Sequence, residues 1–99
     1  MKYFFCKLHA PRPTFGRDLT PAEMKLMGEH AAYLRPHAER RALIVFGPVA
    51  DPAGFFGIGV WELPDDADLA AICAGDPVIK SGLGFRYEIL PMPQAVVRK

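Results

Sequence analysis

Apolar positions along the chain recur with two periods, and the places where the period changes mark out six elements. Residues 2 to 9, KYFFCKLH, are aromatic-rich and bounded by Pro11 and Pro13, which predicts a first strand. Ala10 to Leu19, with its two prolines and Gly16, reads as a loop. Thr20-Pro21-Ala22-Glu23 then supplies a capping box with Pro at the first helical position, so a helix starts there. Met24, Met27, Ala31, Leu34 and Ala38 continue it as one apolar stripe. Pro36 interrupts the stripe, and a helix-interior proline costs about 3 kcal/mol, so the helix is expected to kink or stop near Arg35.

Residues 41 to 49, RALIVFGPV, return to a strand pattern, and Asp51-Pro52-Ala53-Gly54 turns the chain into a third strand, Phe55 to Leu63. Pro64 ends it. Asp65 or Asp66 is placed to cap a second helix with Leu69, Ile72 and Cys73 inward and Gly75 as its stop. After Asp76-Pro77 and a short irregular stretch, Gly84 to Pro91 forms the last strand. The order β-α-β-β-α-β is the split βαβ pattern of α+β, ferredoxin-like folds. Right-handed crossovers put both helices on one face of a four-stranded antiparallel sheet.

The other sheet face is then bare. In the second strand Ala42, Ile44 and Phe46 point one way while Leu43, Val45 and Val49 lie near the other; in the third, Phe55 and Trp61 alternate with Phe56, Ile58 and Val60. Both faces read as apolar, where a solvated face would carry a polar row. Contiguous apolar patches mark contact surfaces, so the pattern predicts a homodimer stacked sheet on sheet.

Composition narrows the partners. With 99 residues, 51% apolar and 23% charged, the chain is a globular domain with one core. The formal charge is +1 and no basic run exceeds Arg40-Arg41, which argues against a nucleic-acid or membrane-surface partner. The apolar run Tyr3 to Cys6 is too short for a signal core or a membrane span. Cys6 and Cys73 lack metal-motif spacing and read as buried, reduced thiols, so the cytoplasm is the expected compartment.

Candidate chemistry is sparse. His30 falls beside the Met27, Ala31 and Leu34 stripe, at the border of core and solvent. That suits a group touching both a pocket and a proton source, and equally a half-buried histidine satisfied by one hydrogen bond. Asp76 is ordinary turn material before Pro77, yet beside a histidine a carboxylate fixes the ring tautomer and makes a general acid/base. Spacing does not say whether the two meet. Gly57 and Gly59 share a strand face with Phe55 and Trp61, leaving a gap that fits a small-molecule groove or merely a packed helix. Lys80, Ser81 and Gly82 offer an anion contact or a solvated loop. His9 and His37 complete no zinc spacing, so no metal is expected, and no phosphate loop or nucleophile elbow is present.

The stretches LTPAEMKLMGEHAAYLRPHAERRALIVFGPV, DPAGFFGIGVWEL and AICAGDPVIKSGLGFRYEILPM resemble the YciI-like (YCII-domain) family of small bacterial proteins over residues 1 to 93, leaving 94 to 99 as a tail. Mid-helix His30, Gly47-Pro48 and the Gly75-Asp76-Pro77 turn followed by Gly82 and Phe85 carry the resemblance most specifically. It implies a dimeric α+β barrel, a pocket between the first helix and the sheet, and His30 with Asp76 as the family's proposed dyad. The long proline-containing loop before the helix, and Pro36, depart from the family pattern at the pocket's rim.

Three functions are in contention. One is a cofactor-independent enzyme of the isomerase, lyase or elimination type, in which the dyad moves a proton on a small cyclic or aromatic substrate held by Tyr33, Phe46 and Trp61, with Lys80 and Ser81 as further contacts. The second is a non-catalytic module that binds a small metabolite or serves as an accessory partner. A cofactor-free or haem-handling oxygenase is the third, by fold analogy alone.

Overall fold

The computed structural model describes residues 1–98. Its elements are β1 (Lys2–His9), α1 (Phe15–Asp18), α2 (Pro21–Glu39), β2 (Leu43–Val49), β3 (Phe56–Leu63), α3 (Leu69–Ala74), α4 (Pro77–Lys80) and β4 (Arg86–Met92). The four strands form an antiparallel sheet in the order β2-β3-β1-β4, with both crossover segments landing on one face. This is the α+β, ferredoxin-like arrangement expected from the strand and helix order.

Even residues of β1 and odd residues of β3 and β4 face the helices. Cys6 pairs with Gly59 and Ile89, and Leu8 with Gly57 and Tyr87. Leu34 of α2 and Leu69 and Cys73 of α3 close on Cys6, Leu43, Trp61 and Leu63 to make the main core cluster. A second cluster of Leu8, Phe15, Val78 and Phe85 lies toward the other end. Burying each large apolar side chain contributes about 1.5–3 kcal/mol, and these two clusters hold the layers together.

Helix α2 begins at the expected capping box, with the Thr20 side chain accepting from Glu23 N and the Glu23 side chain accepting from Thr20 N. It does not stop at Arg35. The helix runs through Pro36 to Glu39, because Ala32, whose carbonyl the proline leaves without a donor, lies on the solvent side with Pro36 itself. Water satisfies that carbonyl at little cost. Met24, expected inward, is 59% exposed, while Glu23 is buried in the first turn and pairs with Arg12.

Four further expectations are corrected. The loop before α2 contains the short helix α1, and the stretch after Asp76 contains α4. Asp68, not Asp65 or Asp66, caps α3, because a turn from Pro64 to Ala67 delays the helix. In β2 the alternation slips: Leu43 pairs with Trp61 and Val45 with Val60, leaving Ile44 as the extra residue of a bulge. Leu43 and Phe46 therefore pack together on the helix side, and Ile44 is exposed.

The open sheet face is less uniformly apolar than the strand patterns suggest. Leu90, Phe5, Val60 and Val45 pair in register as one apolar row, with Leu90 and Val45 exposed. Polar groups flank it: Lys7 lies 4.3 Å from the Phe56 ring centroid, His9 Nε2 meets Glu88 at 3.0 Å, and the Tyr3 hydroxyl donates to Glu62.

Candidate functional site

The site is organised around a buried carboxylate. Gly75 ends α3, its N–H reaching back to Ala71 and Ile72, and the chain re-enters helical geometry at once with Pro77 in the first turn of α4. Asp76 sits in extended backbone between the two, its Oδ1 accepting from Val78 N at 3.1 Å. That anchors the side chain from below. Its Oδ2 points away from the helix and accepts from the Tyr87 hydroxyl and from His30 Nδ1, each at 2.7 Å.

All three partners are donors to the carboxylate, and the residue is 0% exposed. Burial pushes the Asp76 carboxyl up, but the hydrogen bonds from His30, Tyr87 and the Val78 N–H outweigh it, and the group stays below the ordinary carboxylate range. Asp76 is thus an anion at neutral pH. The Tyr87 hydroxyl is raised by its own burial and then by that anion, so it remains a neutral donor.

An ionised Asp76 can only accept, which places the proton of a neutral His30 on Nδ1. Nε2 is then a lone-pair acceptor with no hydrogen-bond partner among the described residues. His30 is on the pocket side of α2 with its side chain 12% exposed, and it lines a cavity of about 400 Å³ between α2, the sheet and the segment before α2. The cavity is walled by Phe46, Trp61, Phe55, Phe85 and Met27, with Gly57 and Gly59 as floor. A histidine with one nitrogen fixed by a carboxylate and its ring lining an apolar cavity can take and return a proton at the other nitrogen.

The structure brings together four of the seven residues singled out from sequence. His30 and Asp76 meet, and Phe46 and Trp61 line the cavity with His30. Tyr33 does not line it; its hydroxyl donates to the Ile72 carbonyl at 2.8 Å, bracing α2 against α3. Lys80 and Ser81 are exposed at the end of α4, where the Ser81 hydroxyl donates to Val78 O, and neither lines the cavity.

Tyr87, the second donor to Asp76, was not apparent from sequence. Its parity in β4 matches Ile89, which marks it as helix-facing, but only the sheet register sets it opposite Leu8 and next to Asp76. Phe15 and Phe85, a T-shaped pair at 5.3 Å in the cavity lining, come from α1 and from the residue before β4, outside the strand patterns.

Among the described residues no group of three or more His, Cys, Asp or Glu side chains is placed to hold a metal ion, and no helix is long and apolar enough to cross a membrane. Cys6 and Cys73 are free and buried, and contact with Cys6 together with burial pushes the Cys73 thiol up. A family model described as the YCII-related domain matches residues 1–93. No curated protein gives a significant match to the chain.

Proposed function

The chain belongs to the YCII-related domain family, and from that premise we propose that it is a small-molecule enzyme in which His30, held by Asp76, transfers a proton on a cyclic or aromatic substrate bound in the cavity. The observation that carries this reading is the 2.7 Å bond from His30 Nδ1 to a fully buried carboxylate, made by a histidine that lines the cavity.

The chemistry follows from the tautomer. The Nε2 lone pair takes a proton from a carbon next to a carbonyl, and the C–H electrons move into the enolate. In an isomerisation the same proton returns at another position; in an elimination the electrons expel a leaving group from the adjacent carbon. The imidazolium formed in between is stabilised by Asp76, and acid/base help of this kind gives about 10²- to 10⁴-fold. Neither step calls for a cofactor. Phe46 and Trp61 supply flat walls for a ring.

The enzyme is further proposed to work in the cytoplasm as a homodimer. Two buried free thiols fit a reducing compartment. The in-register row of Leu90, Phe5, Val60 and Val45 fits a second copy stacked across the open sheet face.

Deuterium incorporation into a panel of cyclic ketones in D₂O, followed by proton NMR, tests the catalytic reading. The wild-type protein should accelerate exchange at the carbon beside the carbonyl, and His30→Gln should lose about 10²- to 10⁴-fold of that acceleration while still binding. Equal exchange by the two proteins would remove His30 as the base. Binding without exchange in the wild-type protein would leave the non-catalytic binding module as the function.

A further inference from the structure

The dyad leaves one built feature of the cavity unused. Residues 10–19 run across its mouth, where Ala10, Phe15, Gly16 and Leu19 face inward. A four-residue helix such as α1 does not hold itself, and Thr14 gives it no side-chain cap. Arg12 provides the hold. Its Nη1 and Nη2 each donate to one Glu23 oxygen at 2.7 Å, Nε donates to the Asp18 carboxylate at 2.9 Å, and Nη2 also reaches the Asp18 carbonyl at 3.0 Å. The Thr14 hydroxyl donates to the other Asp18 oxygen at 2.6 Å. Glu23 is itself fixed by the capping box of α2. One guanidinium thus ties the start of the segment, its end and the first turn of α2 together.

The segment also docks against the connection between β2 and β3, and two glycines make the contact close. Gly54 has φ +146°, and a Cβ there would come within 3.2 Å of the Pro13 backbone. Gly16 lies on the face of the Phe55 ring, which a Cβ would overlap. Phe15 turns inward and meets Phe85 edge-on. None of these contacts serves the proton chemistry.

We infer that residues 10–19 form a latched roof that opens to admit ligand and closes over it, that Arg12 is the positioning residue of the latch, and that the ligand is an uncharged, planar, apolar molecule. The ligand class follows from what encloses it: the flat rings of Phe46 and Trp61 on the sheet suit a planar molecule, and the roof decides its polarity. The roof's inward side chains are apolar, the charge of Arg12 is taken up by Glu23 and Asp18, and no lysine or arginine is among the described residues lining the cavity. The inference rests on the cavity being the ligand site and is independent of proton transfer.

Stopped-flow binding of N-phenyl-1-naphthylamine, an uncharged planar probe, reads the roof directly through energy transfer from Trp61, the one tryptophan of the chain and a cavity wall. In the wild-type protein the observed association rate should saturate at high probe concentration, because roof opening limits it. Arg12→Met should remove the saturation and speed association and dissociation, dissociation more, lowering affinity about tenfold if the closed state falls to about a tenth of the population. Arg12→Lys, which keeps the charge but not the fork, should fall between. Gly16→Ala, which wedges the roof from the Phe55 side with Arg12 intact, should give the same acceleration. Hydrogen exchange of the wild-type protein adds a reading that needs no variant: bound probe should slow amides of residues 12–18 at least about fivefold, as expected of a segment whose local opening it suppresses.

Wild-type rate constants in folded Arg12→Met and Gly16→Ala, or unaltered exchange in residues 12–18 with probe bound, would overturn the roof. Deuterium exchange by His30→Gln reads the dyad, and the probe kinetics of Arg12→Met and Gly16→Ala read the roof, so failure of the roof and failure of the dyad are read separately. No binding of the probe to the wild-type protein would overturn the roof and its ligand class together.

Discussion

Replacing Asp76 by Asn changes almost no volume and removes one charge, which makes it the sharpest probe of the site. The carboxylate accepts from three donors, two on Oδ2 and one on Oδ1. An amide has one acceptor oxygen. If that oxygen takes the Oδ2 place, the bonds from His30 and Tyr87 survive as neutral ones, each weaker by about 1 kcal/mol. The amide nitrogen then faces Val78 N–H, and loss of the α4 cap adds about 1 kcal/mol. The total is about 3 kcal/mol. If the amide turns over, the cap survives, but two buried donors face an NH₂ group unless His30 gives up its Nδ1 proton and Tyr87 turns its hydroxyl away. His30 would then carry its proton on Nε2, and the base would be lost.

Either outcome is measurable. For a domain of this size 3 kcal/mol lowers Tm by roughly 12 to 24 °C, read by circular dichroism at a single protein concentration so that self-association does not enter. Nitrogen-15 NMR of the imidazole distinguishes the Nδ1–H from the Nε2–H tautomer. Asp76→Ala, which leaves three buried donors unpaired, should be worse, at about 5 kcal/mol. An Asn variant melting within about 5 °C of the wild-type protein, which corresponds to roughly 1 kcal/mol, and with Nδ1–H retained, would refute the view that the carboxylate charge organises the site.

Two further predictions address the surface and the latch. Phe5→Glu places a charge in the middle of the Leu90-Phe5-Val60-Val45 row, and sedimentation should shift from twice the 10.9 kDa chain mass to the chain mass itself; an unchanged dimer would mean that this face does not pair. The Arg12 bonds and the cap hold the Glu23 carboxyl at about 2, from an ordinary 4.5, so its contribution to stability is complete above pH 4.5 and is lost as pH falls toward 2. Glu23→Gln should therefore melt below the wild-type protein at neutral pH, with the gap closing between pH 4.5 and 2; a gap independent of pH would exclude the ion pair as its cause.

What was legible in the sequence follows from how local each signal is. The Thr20 to Glu23 box lies within one turn, and the strand runs declare themselves by composition, so the element order could be read directly. Pro36 misled because a proline's effect depends on whether the orphaned carbonyl faces water, which is a tertiary fact. The β2 bulge was invisible because a single extra residue inverts the alternation after it without changing composition. Spacing gives His30 and Asp76 only individually, and the family resemblance alone pairs them, because their meeting spans 46 positions and depends on α4, a helix too short to leave a periodic trace. Arg12 gave no signal at all, since its partners Asp18 and Glu23 read as an ordinary loop acid and a capping residue.

The chain contains its own control for what Asp76 does. Asp68 also caps a short helix, accepting from Ala71 N at 3.2 Å, and it does so from an exposed position with no other side chain bonded to it among the described residues. A cap therefore requires neither burial nor company in this fold. Asp76 performs the same local task while fully buried, and an ionised carboxylate loses several kcal/mol of hydration on burial against the roughly 1 kcal/mol that a cap contributes. Capping cannot account for its position. The balance is restored by His30 and Tyr87, which come from two other elements and converge on the one oxygen that the cap does not use. Tyr87 packs against both apolar clusters, so the ring that shares Asp76 with His30 is wedged between them. The Nδ1 bond holds one edge of the imidazole to Asp76, and His30 lines the cavity. Tyr87 helps to hold Asp76 ionised, and an ionised Asp76, able only to accept, keeps the proton of a neutral His30 on Nδ1.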